Sequence, residues 1–319
     1  MPAARTLNRP VRRRALTSLA LSASVTLLCA CGSSPVQEPK PPPTSAGAQR
    51  LDPSRVERFE GIETAAAVKQ RLANLRGVTH LVLSGKDLGV ELAEVLAHAP
   101  ELASIESIDL SENDLGVDGA RALAGGHHFQ ALRELDLGGN DMGDAGLQAL
   151  ASLDAPQLRS LNLSGNDIAV DGARALARFN GLKSLDLTMN PLGPEGAGVI
   201  AQQAGLAGLT ELFLLGSDIG PEGAAALADS STLQHLELLA LAGNAIGDTG
   251  ARALAASANV AQLRQLDLSA NDIGDAGASA LAESKHLDQL TSLELLVNDE
   301  ISAPVRASLK QRFGDKLKL

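Results

Sequence analysis

From about residue 77 onward the chain repeats one arrangement of apolar and polar positions. The stretch 132–151 shows it whole: Leu132, Leu135 and Leu137 in L-x-x-L-x-L, then Gly138-Gly139-Asn140, then a small-residue run carrying Leu147 and Leu150. Alternation over 134–138 predicts a strand, because successive strand side chains point to opposite faces. Leu135 and Leu137 then face inward, while Glu134, Asp136 and Gly138 face solvent. Leu147 and Leu150, three apart, predict a helix with one apolar face. Aligned on Asn140, the equivalent positions are Lys86, Asn113, Asn140, Asn166, Asn190, Ser217, Asn244, Asn271 and Asn298, at steps of 27, 27, 26, 24, 27, 27, 27 and 27 residues. A self-similar period of this length is the mark of a solenoid. No single unit buries its own apolar face, so the copies must stack. The expected fold is α/β, with about nine repeats: nine parallel strands at about 4.8 Å spacing inside, and bulkier helices outside that bend the stack into a horseshoe.

The asparagine sits in the turn after each predicted strand. Its amide carries donors and an acceptor, so it is expected to serve backbone groups of its own repeat and the next. Asn113, Asn140, Asn166, Asn190, Asn244, Asn271 and Asn298 form this expected ladder; Ser217 makes fewer bonds and predicts local loosening in the sixth repeat. Acids stand at the predicted helix starts, namely Asp118, Asp144, Asp171, Glu195, Glu222, Asp248 and Asp275, where the helix dipole is positive. Pro194 and Pro221 fall in the first helical turn, where proline forfeits no hydrogen bond. Residues 119–124 read Gly-Ala-Arg-Ala-Leu-Ala, and 172–177 and 250–255 repeat those letters. With L-x-x-L-x-L-x-x-N, this resembles the ribonuclease-inhibitor-like class of leucine-rich repeats over about residues 77–319. The resemblance implies the horseshoe and leaves the function open, since one fold hosts many functions.

The flanks follow other rules. Met1–Arg14 holds Arg5, Arg9, Arg12, Arg13 and Arg14 with no acid, and residues 15–28 are uncharged and largely apolar. That run of 14 is too short to span a bilayer comfortably. Leu28-Cys29-Ala30-Cys31-Gly32 follows. It resembles the bacterial lipobox, which implies a signal peptide over 1–30, lipidation of Cys31 and, from Gly32, sorting to the outer membrane of the cell envelope. An ordinary secretory signal or a mitochondrial transit peptide shares the basic start and apolar run. Cys29 and Cys31 are the only cysteines, so the repeats hold no disulfide, thiolate metal site or cysteine nucleophile. Residues 31–50 form a proline-rich linker able to reach ~60 Å when extended. An N-terminal cap is expected over 51–76, with a helix over Thr64–Leu75, then repeats over 77–303. A C-terminal cap follows over 304–319: Pro304 opens a basic helix with Arg306, Lys310 and Arg312, and Lys316-Leu317-Lys318-Leu319 alternates like an edge strand. Lysines on an edge discourage further strand addition.

Chemistry-bearing motifs are sparse. His80, His98, His127, His128, His235 and His286 lack Ser, Cys or acidic partners at motif spacing. Asp141 with Asp144, and Asp272 with Asp275, lack the oxygen density of a calcium loop. Phosphate-binding, dinucleotide and nucleophile-elbow motifs are missing. The sequence reads as a non-enzyme, without metal or cofactor.

Binding is expected on the concave face. The position between the second and third leucines runs Val82, Asp109, Asp136, Asn162, Asp186, Phe213, Ala240, Asp267 and Glu294. Its first half is acidic to polar, flanked by Glu134, Ser160 and Ser184; repeats six and seven then present Phe213 and Leu215 beside Leu238, Ala240 and Ala242. An apolar patch rimmed by acids predicts an interaction hot spot. The chain carries net charge −11, and without residues 1–30 it keeps 22 basic against 38 acidic residues, or −16. That disfavours nucleic acid and favours a protein partner with a basic surface. Glycan binding is disfavoured by an inner face with one Phe and no Trp or Tyr. The reading is a monomeric, lipid-anchored protein-binding scaffold. A structural surface-coat module, or a host-directed leucine-rich-repeat effector, are its alternatives.

Overall fold

The structure, a computed structural model, describes residues 52–319. The expected signal peptide, Cys31 and the linker lie outside the described residues. Eleven parallel strands pair in chain order: β1 (Val56–Arg58), β2 (His80–Val82), β3 (Ser107–Asp109), β4 (Glu134–Asp136), β5 (Ser160–Asn162), β6 (Ser184–Asp186), β7 (Glu211–Phe213), β8 (Leu238–Ala240), β9 (Gln265–Asp267), β10 (Ser292–Glu294) and β11 (Leu317–Lys318). Helices alternate with them: α1 (Ala65–Leu72), α2 (Gly89–Ala97), α3 (Gly116–Ala124), α4 (Gly143–Leu150), α5 (Val170–Ala175), α6 (Gly193–Ala201), α7 (Gly220–Ala228), α8 (Gly247–Ala256), α9 (Asp275–Glu283) and α10 (Ala303–Phe313). The result is an α/β solenoid with the sheet on one side and the helices on the other.

The sheet has eleven strands: the nine that the period predicts, β11 where the edge strand is expected within 316–319, and β1, which is not expected. Both end strands cover an edge that would otherwise leave backbone groups unpaired. β1 escapes the leucine pattern because Val56-Glu57-Arg58 holds no leucine, yet Thr79 N–H donates to the Arg55 carbonyl (3.0 Å) and Phe59 N–H to that of Val82 (3.1 Å). The first helix also differs from expectation. It starts after Thr64, whose hydroxyl accepts the Ala67 N–H at 3.2 Å, and it stops at Leu72 rather than Leu75. Leu75 N–H turns back to the Leu72 carbonyl, and the side chain packs half-buried on the core.

Strand register advances without a slip, so Ile108, Leu135, Leu161, Leu185, Leu212, Leu239 and Leu266 form one column. With the next leucine of each repeat and the apolar helix stripe they make one continuous core. Gly-Ala repeats set how closely helices pack. A Cβ on Gly250 would fall 2.9 Å from the Ile246 Cβ and 3.0 Å from the Ala224 Cβ. Helix starts are tied across repeats by the acids noted above. The Asp144 carboxylate accepts the Ala169 N–H at 2.7 Å, and Asp248 accepts those of Gly274 (2.9 Å) and Gly277 (2.8 Å).

Each ladder asparagine is buried. In Asn244, Nδ2 donates to the carbonyls of Leu214, Leu241 and Ala242, while Oδ1 accepts the N–H groups of Ser217 and Ile219. At Ser217 the series breaks. Its single O–H lies 3.2 and 3.4 Å from the Leu187 and Leu215 carbonyls, so the donor role survives only in part. The acceptor role is lost. Among the described residues neither Asn190 nor Leu192 N–H bonds to Ser217, and Leu192 N–H turns to the Asn190 carbonyl at 2.7 Å. The expected loosening thus narrows to two amides beside a serine that is itself buried. Ser217→Asn is expected to raise stability by about 1–2 kcal/mol. A urea-midpoint shift with slower exchange of the Asn190 and Leu192 amides checks it; an unchanged midpoint refutes it.

Candidate functional site

Helices are wider than strands, so the sheet lies on the inner side of the stack and its outward side chains floor a groove. Three residues per strand allow only the first and third to face that groove, with the residue two places past the strand beside them. Register aligns the third positions from end to end as Arg58, Val82, Asp109, Asp136, Asn162, Asp186, Phe213, Ala240, Asp267, Glu294 and Lys318. The acidic column is therefore bracketed by cations, and Lys318 pairs with Glu294.

Most of these acids hold a bond that the sequence reading missed. Asp109 accepts the Ser111 N–H (3.0 Å), Asp136 that of Gly138 (2.9 Å), Asp186 that of Thr188 (2.8 Å) and Asp267 that of Ser269 (2.9 Å). Asn162 does the same to Ser164 at 2.9 Å. Each is an Asx turn closing a three-residue strand. The negative charge is not needed for that bond, because Asn162 makes it neutral.

The charge has a cost. Burial raises the Asp136 carboxyl above the ordinary carboxylate range, against the pull of the Gly138 N–H and Asn162, and neighbouring Asp109 and Asp186 push the same way. Burial likewise raises Asp186, opposed by Thr188, and Glu211, opposed by Ser184 and assisted by the Glu237 charge. The inward positions of β2–β10 hold no lysine or arginine. Arg133, Arg159 and Lys183 stand instead just before β4, β5 and β6, a basic rim that single-column reading overlooked. Two of them are occupied: Arg159 bonds the Leu158 carbonyl and Lys183 that of Gly208.

A carboxyl with a raised folded pKa binds its proton at a higher pH in the folded than in the unfolded chain. Its ionised form opposes folding at neutral pH, and that opposition fades as pH falls through the folded pKa toward the ordinary value. Asp136→Asn keeps the Asx turn and removes the charge, so it is expected to stabilise the protein at neutral pH by about 0.5–1 kcal/mol. The gain should shrink as pH falls toward the ordinary carboxylate value. Denaturant midpoints at several pH values test this, and a gain independent of pH contradicts it.

The apolar patch differs from expectation. Phe213, Leu238 and Ala240 are 7, 8 and 6% exposed, and form an island apart from the main core. Leu215 is half-buried against it and Ala242 is also half-buried. Register sets Phe213 between Asp186 and Ala240 of the neighbouring strands, and it packs with Leu238, Ala240 and Leu215. Few exposed apolar atoms remain to act as the protruding hot spot the sequence predicts.

Other candidates fall elsewhere. Asp141 and Asp272 adopt left-handed backbone (φ 50° and 55°), as do Asp87, Asp114, Asp167 and Asp218 at the same turn position. Aspartate recurs there because it tolerates that conformation better than most residues. Among the described residues no group of three potential ligands could hold a metal ion. His127 is exposed and His128 half-buried. No helix among the described residues is long and apolar enough to cross a membrane.

A family model described as leucine rich repeat matches residues 101–124, 130–151, 156–177, 182–201, 232–255 and 262–282. The stretch from 202 to 231, which it leaves unmatched, contains Phe213 and Ser217. No curated protein matches the chain. Among solved structures it is similar to one described as the Rad7 and Elc1 complex in yeast, at 17% identity and TM-score 0.48, covering 80% of this chain and 72% of that one.

Proposed function

We propose that this leucine-rich-repeat chain is a non-catalytic scaffold that binds another protein in its groove, held at the bacterial cell envelope by a lipid on Cys31. The observation carrying the binding part is the run of partly buried carboxylates on the groove floor without cations among them. Charges that oppose folding, where asparagine would serve the turn equally well, are the kind of feature retained for binding. They favour a partner with a basic surface. The Leu-Cys-Ala-Cys site and proline-rich linker support the anchor; Gly32 favours the outer membrane. The Gly-Ala-x-Ala-Leu-Ala motif places the repeats with the ribonuclease-inhibitor-like class in this reading, and the molecule acts as a monomer.

The test is affinity capture from envelope extract by the full-length protein beside its Asp109→Asn, Asp136→Asn, Asp186→Asn triple variant. The triple variant keeps the Asx turns and loses three charges. A protein held by wild type and released by the variant supports the reading. Equal retention by both rejects the acidic floor as the binding face, and lanes empty in both favour a surface-coat role.

A further inference from the structure

The groove floor changes character across β6, β7 and β8. Register sets two rows there: Ser184, Glu211 and Leu238, then Asp186, Phe213 and Ala240. Phe213, Leu238 and Ala240 form the closed apolar island. Glu211 and Asp186 flank the Phe213 ring on a diagonal, one preceding it along β7 and one beside it on β6.

Glu211 is the unusual member. Its Oε2 is buried and, among the described residues, has no hydrogen-bond partner. It belongs to no ion pair among the described residues. The charged groups nearest along the flanking strands do not relieve it. From the β8 side Glu237 adds like charge. On the β6 side the Lys183 ammonium is engaged by the Gly208 carbonyl at 2.9 Å. A desolvated carboxylate oxygen without a donor is costly, and a buried unsatisfied group calls for a physical explanation. The side chain as a whole is only half-buried, so rotation about its own bonds turns Oε2 into the groove.

We propose that this six-residue grid seats one arginine or lysine side chain from an extended segment of the partner protein, with its charged head between Glu211 and Asp186 and its methylene stem on Phe213 and Leu238. The inference rests on the groove-binding reading above and adds the partner's chemistry. Both halves of the site contribute. The carboxylates supply charge complementarity, and the narrow exposed edge of the island, with half-buried Leu215 beside it, supplies apolar surface for one aliphatic stem that a simple cation lacks. Arginine suits the seat better than lysine, because its planar head bonds two acceptors at once. An apolar neighbour of that arginine in the partner would meet Leu215.

The probe is a fluorescein-labelled peptide, Gly-Ser-Leu-Arg-Leu-Gly-Ser, beside its twin with citrulline, the uncharged isostere, in place of arginine. Fluorescence anisotropy is measured on the full-length protein, wild type, Glu211→Gln and Asp186→Asn, with circular dichroism confirming each fold. The arginine peptide is expected to bind wild type about tenfold tighter than its twin. Either substitution should erase that preference, while Asp267→Asn, outside the grid, should leave it intact. Equal binding of the two peptides to wild type, or a preference that survives Glu211→Gln, overturns the seat. The broader reading has its own failure. If the captured partner is released by the triple variant yet retained by Glu211→Gln, the groove binds but the seat is wrong. If the triple variant retains it, the groove reading fails first.

Discussion

Replacing Asn140 by alanine lowers the stability of the solenoid by about 3–5 kcal/mol. The side chain is buried and makes five hydrogen bonds. Nδ2 donates to the carbonyls of Leu110 (3.0 Å), Leu137 (2.9 Å) and Gly138 (3.1 Å), and Oδ1 accepts the N–H groups of Asn113 (3.1 Å) and Leu115 (3.3 Å). Alanine leaves the Asn113 and Leu115 N–H groups without a partner in a buried place, at about 1–3 kcal/mol each, while the three carbonyls keep the Asn113 and Asn166 side chains and the Glu112 N–H as donors. Aspartate is no substitute. Its acceptor oxygens would face three carbonyls, and the buried charge would have no counter-ion. The check is a urea titration, with amide exchange locating the loss at residues 110–115 and 137–142. A loss below about 1 kcal/mol would mean that water replaces the amide, and the ladder would then be a minor contributor.

Cys31→Ala is expected to abolish lipid labelling of the protein and to leave the basic, apolar leader over 1–30 uncleaved. A diacylglycerol thioether adds two acyl chains, and at about 0.8 kcal/mol per buried methylene two chains suffice for stable anchoring where one does not. Growth with labelled palmitate reads the first effect, and the mass of the isolated chain reads the second. Label persisting on Cys31→Ala, or missing from wild type, removes the anchor from the proposal and leaves the groove to be judged alone.

The repeat layout was legible because its causes are local and periodic. L-x-x-L-x-L, the turn asparagine and the Gly-Ala run recur at nearly constant spacing, and a stack is the arrangement that buries all the leucines together. Helix starts were legible for the same reason, with Pro194 and Pro221 in the first turn of α6 and α7. β1 was not legible. Val56-Glu57-Arg58 forms a strand because β2 presents an open edge to it, a demand that comes from elsewhere in the chain.

The candidate site was half legible. Its columns followed from strand alternation, and each named residue stands on the floor where the period puts it. What those residues do there did not follow. Asp109, Asp136 and Asp186 read as free charges in one dimension, whereas in three each accepts a nearby N–H. Phe213 and Leu238 read as exposed, but each strand's neighbours bring cover from 27 residues away.

The sequence by itself determined the α/β solenoid, its repeat period, the inward leucines and the place of the asparagine turn, because period and turn chemistry act within one unit. Only the tertiary structure decided which groove side chains are covered, which carboxylates lose water without gaining a cation, and which bonds the ladder loses at Ser217. Those depend on neighbours one repeat away, and desolvation is a property of the packed surroundings rather than of the residue that suffers it.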